Sequence, residues 1–280
     1  MLSKKEFVIE GQHSRPILID VSYKNTYQPK PIIIFCHGYK GFKDWGAWNL
    51  AAQKFAEQNF FFIKFNFSHN GGTMENPIDF PDLEAFAEDN FSKQLDDLQS
   101  VMDWILTTKQ FVNEANVQDL NLLGHSRGGG IVLLKSGESK QVSKVISWGG
   151  VSDFERAFPK GEKLKTWQEE DVFYVENSRT KQQLPHHFQF YLDYKENENR
   201  FNLKKSLRQK KTSHLIVHAK DDTTVKIDDA EKLHQWNTNS EIFILPKGGH
   251  TFGAKHPWDK NSLPEALDQA IEKTINFIKK

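Results

Sequence analysis

The residues best suited to chemistry in this 280-residue chain lie in the segment Gly124-His125-Ser126-Arg127-Gly128. An apolar run at 120–123 leads into this segment, and a second apolar run at 131–134 follows it. This order is typical of a strand, a sharp turn and a helix, in which the glycines permit close backbone approach and the serine takes strained angles. The serine hydroxyl would then lie beside the N-terminus of the helix. We therefore expect Ser126 to be a catalytic nucleophile.

A serine hydroxyl is a weak nucleophile at neutral pH, so it needs a histidine to accept its proton and a carboxylate to orient that histidine. In a mostly parallel sheet, such side chains stand in the loops at the carboxyl ends of the strands. Asp222 follows an apolar run at 215–219, and His250 follows another at 242–245. The sequence therefore predicts a triad of Ser126, Asp222 and His250.

Two positions in this triad have rivals. Asp221 is adjacent to Asp222, but the spacing to Val225 favours Asp222. Asp153, which follows the predicted sixth strand, is an alternative acid. His256 is an alternative base, although it precedes Pro257 and lies farther from the end of its strand.

The apolar runs predict an α/β fold with a mostly parallel, doubly wound sheet. Two β-rich runs, 7–9 and 17–21, predict an opening antiparallel pair, and the continuous apolar run 31–36 predicts a buried central strand. Residues 152–212 break the alternation of strands and helices, because they mix aromatic and charged side chains without a clear period. We expect a single domain, 1–280, that carries residues 152–212 as an inserted cap between the sixth and seventh strands.

Composition excludes several classes of function. The 37 basic and 37 acidic side chains balance, which disfavours a nucleic-acid or acidic-membrane partner. The single cysteine, Cys36, cannot form an internal disulfide and is expected to be buried. No stretch approaches the roughly 20 apolar residues that span a bilayer, and the N-terminus lacks the apolar core of a signal peptide. The sequence therefore predicts a cytoplasmic protein; nothing in it bears on the oligomeric state.

No cofactor or metal site is expected. His186-His187 has neither the His-Glu-x-x-His pattern nor a nearby cysteine, so it does not indicate zinc. The glycines at 128–130 are not followed by Lys-Ser or Lys-Thr, as they would be in a phosphate-binding loop.

Four motifs together carry a resemblance: His37-Gly38-Tyr39, the Gly124–Gly129 segment, Asp221-Asp222-Thr223-Thr224-Val225, and Gly249-His250-Thr251-Phe252. On these motifs the chain resembles the α/β-hydrolase superfamily, and in particular its dienelactone-hydrolase-like and feruloyl-esterase-like serine hydrolases. The resemblance implies the α/β-hydrolase fold, with Ser126, Asp222 and His250 as nucleophile, acid and base. The order of these three residues along the chain is the one expected for that fold.

An acyl-transfer enzyme also needs two backbone N–H groups that bind the developing oxyanion. We expect them to come from Arg127, directly after the nucleophile, and from Tyr39, in the loop after the third strand. The Arg127 side chain is expected to form a structural ion pair at the start of its helix, with binding of a substrate carboxylate as the alternative. His37 and His125 are expected to be structural hydrogen-bonding residues.

These observations predict a serine hydrolase that cleaves a small-molecule carboxylic ester through an acyl-enzyme, without a cofactor. A thioesterase or a serine peptidase would use the same triad, so both stay as alternatives. A ligand-binding module without catalysis is disfavoured because all three triad positions are filled. Aromatic residues after Tyr39 and within the insertion predict either an aromatic substrate pocket or simply the core of the cap.

Overall fold

A computed structural model describes all of residues 1–280 and contains ten strands and nine α-helices. The strands are β1 (Leu2–Glu10), β2 (Pro16–Lys24), β3 (Lys30–Cys36), β4 (Phe61–Phe65), β5 (Ala115–His125), β6 (Val142–Trp148), β7 (Val172–Glu176), β8 (Gln183–His187), β9 (Ser213–Ala219) and β10 (Ser240–Leu245). The helices are α1 (Trp48–Glu57), α2 (Leu83–Ala87), α3 (Phe91–Thr107), α4 (Arg127–Glu138), α5 (Glu162–Glu170), α6 (Gln189–Glu196), α7 (Leu203–Gln209), α8 (Ile227–Trp236) and α9 (Glu265–Ile278). None of the helices is both long enough and apolar enough to cross a lipid bilayer.

Eight strands form one main sheet in the order β1-β2-β4-β3-β5-β6-β9-β10. β1 pairs with β2 and β2 with β4 in antiparallel fashion, and every other pairing is parallel. The predicted antiparallel opening and the mostly parallel sheet are therefore confirmed. Because β3, β4, β5, β6, β9 and β10 run in one direction, their carboxyl ends meet at one edge, where the predicted site residues lie.

The continuous apolar runs in the sequence are explained by helices on both faces of the sheet. Along β3, Ile32 and Ile34 belong to the hydrophobic cluster formed with α3, α4 and α8, whereas Ile33 and Phe35 belong to the cluster formed with α1 and α9. Alternate side chains of a strand point to opposite faces, so a strand that is covered on both sides must be apolar at every position. Cys36 is buried and unpaired, as predicted.

Two local predictions differ from the structure. β5 extends from Ala115 and so includes a partly exposed polar stretch before the predicted apolar run 120–123. Ser262 and Glu265 have the spacing of a capping box, which predicts a helix that starts at Ser262, but α9 begins at Glu265 after Pro264, without a side-chain cap. Proline favours this place because its fixed φ suits the start of a helix and no intrahelical acceptor would be available for an N–H there.

The chain leaves the main sheet after β6 and returns at β9, which are the sixth and seventh strands of that sheet along the sequence. The insertion, residues 152–212, contains the antiparallel hairpin β7–β8 and the helices α5, α6 and α7. Its start is fixed to α8, because the backbone N–H and hydroxyl of Ser152 both donate to Asp229 Oδ1, at 2.9 and 2.7 Å. The insertion lies over the carboxyl edge of the sheet, since its residues line the cavity that contains Ser126.

Candidate active site

Ser126 occupies a tight turn between β5, which ends at His125, and α4, which begins at Arg127. Its φ of 56° is a value that L-residues rarely adopt. A Cβ atom added to Gly124 would lie 2.2 Å from the carbonyl oxygen of Gly128, so only glycine fits there. The Ser126 N–H donates to the Trp148 carbonyl at 2.9 Å, which ties the turn to the end of β6.

His250 joins Ser126 to Asp222. Its Nε2 lies 2.9 Å from Ser126 Oγ, and its Nδ1 lies 2.8 Å from Asp222 Oδ2. Because a carboxylate can only accept, the Nδ1 atom carries the proton, and Nε2 is left to accept from the serine hydroxyl. The structure thus brings together three side chains that are remote in sequence, in the geometry that a nucleophile, a base and an orienting acid require.

Asp222 is held in place by the loop after β9. Its Oδ1 accepts from the backbone N–H groups of Thr224 and Val225, at 2.8 and 3.0 Å. Its side chain is only 1% exposed. Burial alone would raise the pKa of Asp222, but the hydrogen bond and charge of His250 and the two backbone donors outweigh it and lower the pKa below its ordinary value. Asp222 therefore stays ionised beside the imidazole.

The rival residues make other contacts. Asp221 is exposed and accepts from the Gly249 N–H at 2.8 Å, which steadies the loop that carries His250. Asp153 accepts from the Glu155 N–H at 2.9 Å, and His256 accepts from the Gly46 N–H at 2.9 Å. None of the three hydrogen-bonds to Ser126 or His250.

Two further histidines support the site as neutral rings. His125 Nε2 donates to the His250 carbonyl at 2.8 Å, and His37 Nδ1 donates to the Gly38 carbonyl at 2.9 Å. Burial is the main cause that lowers the pKa of His125 to about 3 and that of His37 to about 4. Both rings therefore remain uncharged near neutral pH and orient backbone.

The loop after β3 lies directly against the serine. A Cβ atom added to Gly38 would lie 2.9 Å from Ser126 Cβ, and one added to Gly128 would lie 2.4 Å from the carbonyl oxygens of Cys36 and His37. Because Gly38 and Gly128 have no side chain, this loop and the start of α4 can approach each other closely. The backbone N–H of Tyr39, in this loop, donates no hydrogen bond within the protein.

Two compartments open on either side of Ser126, and Tyr39 and Thr224 line both. The apolar compartment has a volume of about 330 Å³ and is lined mainly by Phe91, Val151, Phe154, Trp167, Phe173 and Phe190. The polar compartment has a volume of about 450 Å³ and is lined by Lys40, His125, Asn177, Ser178, Arg179 and His250, among others. The insertion contributes to both compartments.

The Arg127 side chain lines the apolar compartment. The sequence did not predict the residues that surround it there. Its guanidinium carbon lies 4.1 Å from the centre of the Tyr39 ring. The nearest carboxylate oxygen, on Asp89, is 3.9 Å from Nη1, which is too far for a hydrogen bond. The expected structural ion pair is therefore loose.

His186 is a second residue of this compartment that the sequence did not single out as part of the site. Its Nε2 lies 2.7 Å from the Tyr39 hydroxyl, and its buried Nδ1 has no partner. Burial is the largest cause that lowers the pKa of His186 to about 3, so the ring is neutral. No local sequence pattern could have indicated the contact between Tyr39 and His186, because the two residues are far apart in sequence.

Glu84, Glu88 and His187 are the one grouping of three potential metal ligands, with their ligand atoms within 4.8 Å of one another. His187 Nδ1 already bonds to Glu88 Oε1 at 2.6 Å. No residue of this grouping lines either compartment.

Several solved structures resemble the chain in fold. Est1E from Butyrivibrio proteoclasticus, with ferulic acid bound, gives a TM-score of 0.74 at 15% identity, over 98% of this chain and 100% of that chain. A protein from Klebsiella pneumoniae subsp. pneumoniae, provisionally named a dienelactone hydrolase, gives 0.64 at 14% identity, over 100% and 99% of the two chains. The esterase domain of a Rhodothermus marinus protein gives 0.64 at 18% identity, over 99% of each chain.

Among curated proteins, none matches the sequence. The sequence profile of the alpha/beta hydrolase fold family, in contrast, matches residues 31–205. This range runs from β3 through the Ser126 turn and most of the insertion. The resemblance inferred from the four sequence motifs is therefore confirmed, and the chain belongs to the α/β-hydrolase fold family.

Proposed function

We propose that the protein is a serine hydrolase that cleaves carboxylic esters through an acyl-enzyme, with Ser126 as nucleophile, His250 as base and Asp222 as the acid that orients it. One observation carries the proposal: Ser126 Oγ is 2.9 Å from His250 Nε2, while the other nitrogen of the same ring is 2.8 Å from Asp222. This arrangement activates a hydroxyl that is otherwise a poor nucleophile.

The reaction has two halves. As Ser126 Oγ attacks the ester carbonyl, its proton passes to His250 Nε2, and Asp222 stabilises the imidazolium that forms. The tetrahedral intermediate collapses, the C–O bond to the alcohol breaks, and His250 returns the proton to the departing oxygen. Water then attacks the acyl-serine with His250 again as base, and the carboxylic acid leaves as Ser126 regains its proton.

The proposed oxyanion hole consists of the backbone N–H groups of Tyr39 and Arg127. Two observations support it: the loop that contains Tyr39 packs directly on Ser126, and the Tyr39 N–H has no acceptor within the protein. The Arg127 N–H stands at the first position of α4, where a helix offers its N–H groups to an anion. Loss of one such donor typically lowers kcat by about 10²- to 10³-fold.

An ester is the favoured substrate because of the solved relatives. Est1E has been solved with ferulic acid bound, and the Rhodothermus marinus structure is named an esterase domain. We further propose that residues 1–280 act as one domain in which the insertion, 152–212, is a cap. Its contribution to both compartments beside Ser126 supports this role.

Active-site labelling tests the proposal. A fluorescent fluorophosphonate should label the wild-type protein and should not label Ser126→Ala at matched concentration and fold. A panel of ester, thioester and peptide substrates then identifies the bond, with the ester expected to give the highest kcat/KM. Equal labelling of the two proteins would remove Ser126 from its role, and preferential thioester or peptide cleavage would replace the ester assignment.

A further inference from the structure

The Arg127 guanidinium is buried without a hydrogen-bonded counterion. Its side chain is 11% exposed, and none of its five N–H groups donates a hydrogen bond to the protein. The Nη1 atom is fully shielded from solvent and has no partner. A guanidinium cannot be deprotonated in a protein, so the site holds a permanent, incompletely compensated positive charge.

Aromatic rings surround the Arg127 guanidinium. The Tyr39 ring covers one face at 4.1 Å, and the rings of Phe91 and Phe190 each lie 5.5 Å away. Aromatic faces attract a cation but accept no in-plane hydrogen bonds of the strength a carboxylate provides. The N–H donors of Arg127 therefore lack an acceptor in the protein, and Arg127 lines the apolar compartment.

Two residues near Arg127, His186 and Asp89, also have buried polar atoms without a partner. The unpartnered Nδ1 of His186 belongs to the lining of the same compartment. Asp89, the nearest acid, leaves its own Oδ1 without a partner. Burial, as the largest cause, raises the pKa of Asp89 to about 7, so this carboxyl only partly neutralises Arg127 near neutral pH.

The compartment that contains Arg127 is also the one left for the acyl group. The departing alcohol takes its proton from His250, and His250 lines the polar compartment but not the apolar one. In the proposed reaction we therefore assign the alcohol to the polar compartment. The acyl group, which stays bonded to Ser126, then lies in the apolar compartment.

We propose that the acyl part of the substrate carries a carboxylate, and that the side chain of Arg127, assisted by His186, binds it in the apolar compartment. This inference rests on the proposed function, because it places the acyl group on Ser126. The substrate class is thus the monoester of a dicarboxylic acid. The aromatic lining of the compartment favours an aryl or short alkyl spacer between the two carboxyl groups.

Paired substrates test the inference. Monoethyl esters of glutaric, adipic and terephthalic acid are compared with the matching ethyl esters in which a carboxamide replaces the free carboxylate. The measured quantity is the ratio of the two kcat/KM values within one protein, so a general loss of activity cancels. For at least one acid, the wild-type ratio should favour the carboxylate about tenfold or more, as expected for a charge-assisted hydrogen-bonded pair.

Two arginines of the compartment provide a matched comparison. Arg156 also lines it, but its Nη1 already bonds to Asp229 Oδ1 at 3.0 Å. Arg127→Gln should reduce the ratio to about one or below, whereas Arg156→Gln should keep the wild-type preference. A wild-type ratio near one for all three acids would overturn the inference, as would an unchanged ratio in Arg127→Gln or a collapse of the ratio in Arg156→Gln.

A binding measurement separates this inference from the proposed function. Monoethyl terephthalate is titrated by calorimetry into Ser126→Ala and into Ser126→Ala combined with Arg127→Gln, where no turnover occurs. The second protein should bind it at least tenfold more weakly; equal affinities overturn the inference. Absence of fluorophosphonate labelling and of ester turnover in the wild type, with Arg127-dependent binding intact, would instead overturn the proposed function and, of this inference, leave only the carboxylate binding by Arg127.

Discussion

Around Ser126, burial gives three histidines different tasks. His37 and His125 are buried and neutral, and each donates to a backbone carbonyl of the site. His250 is the ring that contacts the serine hydroxyl. Because His125 donates to the carbonyl of His250 itself, His250 is fixed at its backbone by one histidine and at its ring by Asp222.

The pair Asp221 and Asp222 offers a test in which neighbouring carboxylates should behave differently. Asp222→Asn should lower kcat about 10⁴-fold, because the amide no longer holds the imidazole in the working tautomer. Asp221→Asn should change kcat only a few-fold, since Asp221 is exposed and contacts the Gly249 N–H. Turnover of 4-nitrophenyl acetate measures both, with near-ultraviolet circular dichroism as the control for fold. Wild-type-like activity in Asp222→Asn, with loss in Asp153→Asn, would move the acid to the other loop.

Sequence reasoning predicted residues through local context and chain order but could not predict contacts between distant segments. Ser126 lies in a recognisable turn, and Asp222 and His250 each follow an apolar run. The environment of Arg127, in contrast, is built by Tyr39, Asp89 and aromatic rings from α3 and α6. Nothing near Arg127 in the sequence indicates those partners, so its loose ion pair could not be predicted.

At the scale of elements, the start of α4 is the component that assembles the site. The helix presents its first N–H beside Ser126, and its glycines let it approach both the end of β3 and the loop that contains Tyr39. Gly128 packs on the carbonyls of Cys36 and His37, so the turn that contains Ser126 and the proposed oxyanion loop are held together by backbone contact.

Substitution of Gly128 should therefore damage both stability and activity. In Gly128→Ala the new Cβ would lie 2.4 Å from two carbonyl oxygens, and backbone cannot move aside without shifting β3. We expect a loss of about 1–3 kcal/mol or more in the free energy of unfolding, typical of overpacking. The rate of fluorophosphonate labelling of Gly128→Ala should also be lower than that of the wild type.

Gly137→Ala, in the same helix, is the matched control. Its Cβ would meet the Ser206 hydroxyl at 2.1 Å, and a serine side chain can rotate away. Alanine is also the better helix former by about 1 kcal/mol, which offsets the contact. Urea unfolding should separate the two variants; equal destabilisation would contradict the role given to backbone packing at Gly128.

Over the whole molecule, the main sheet was predictable and the interior of the insertion was not. Buried strands such as β3 are apolar at every position because both faces are covered, and this produces a strong signal in the sequence. In the insertion, α5 buries only Trp167, and β7 is at most half-buried. Elements that bury so little need no regular apolar period, so their positions could not be read from the sequence.

The stability of the whole molecule should depend on the buried carboxyl of Asp97, in α3. Burial is the largest cause that raises its pKa from 3.8 to about 7. The carboxyl is neutral in both folded and unfolded states below pH 4, so stability is fullest there and is lost as the pH rises toward 7. Asp97→Asn, which keeps an acceptor for Ser68, should remove this loss.

Urea unfolding at pH 4.5 and pH 8 measures the effect. The free energy of unfolding of Asp97→Asn relative to wild type should rise between the two pH values by up to a few kcal/mol. Asp103→Asn, at an exposed position of the same helix, is the control. Its free energy of unfolding should change between the two pH values by the same amount as that of the wild type. Parallel behaviour of Asp97→Asn as well would show that Asp97 does not carry this pH dependence.

The separation of the two compartments has a consequence for how such a protein diversifies. The apolar side depends on rings from α3, α5 and α6, whereas the polar side depends on the loop after β3 and the tip of the β7–β8 hairpin. In the proposed reaction, mutations at the hairpin tip would alter the choice of alcohol and leave the choice of acid unchanged, and mutations in the helices would do the reverse. New specificities could then evolve in one compartment at a time, with Ser126 kept constant between them.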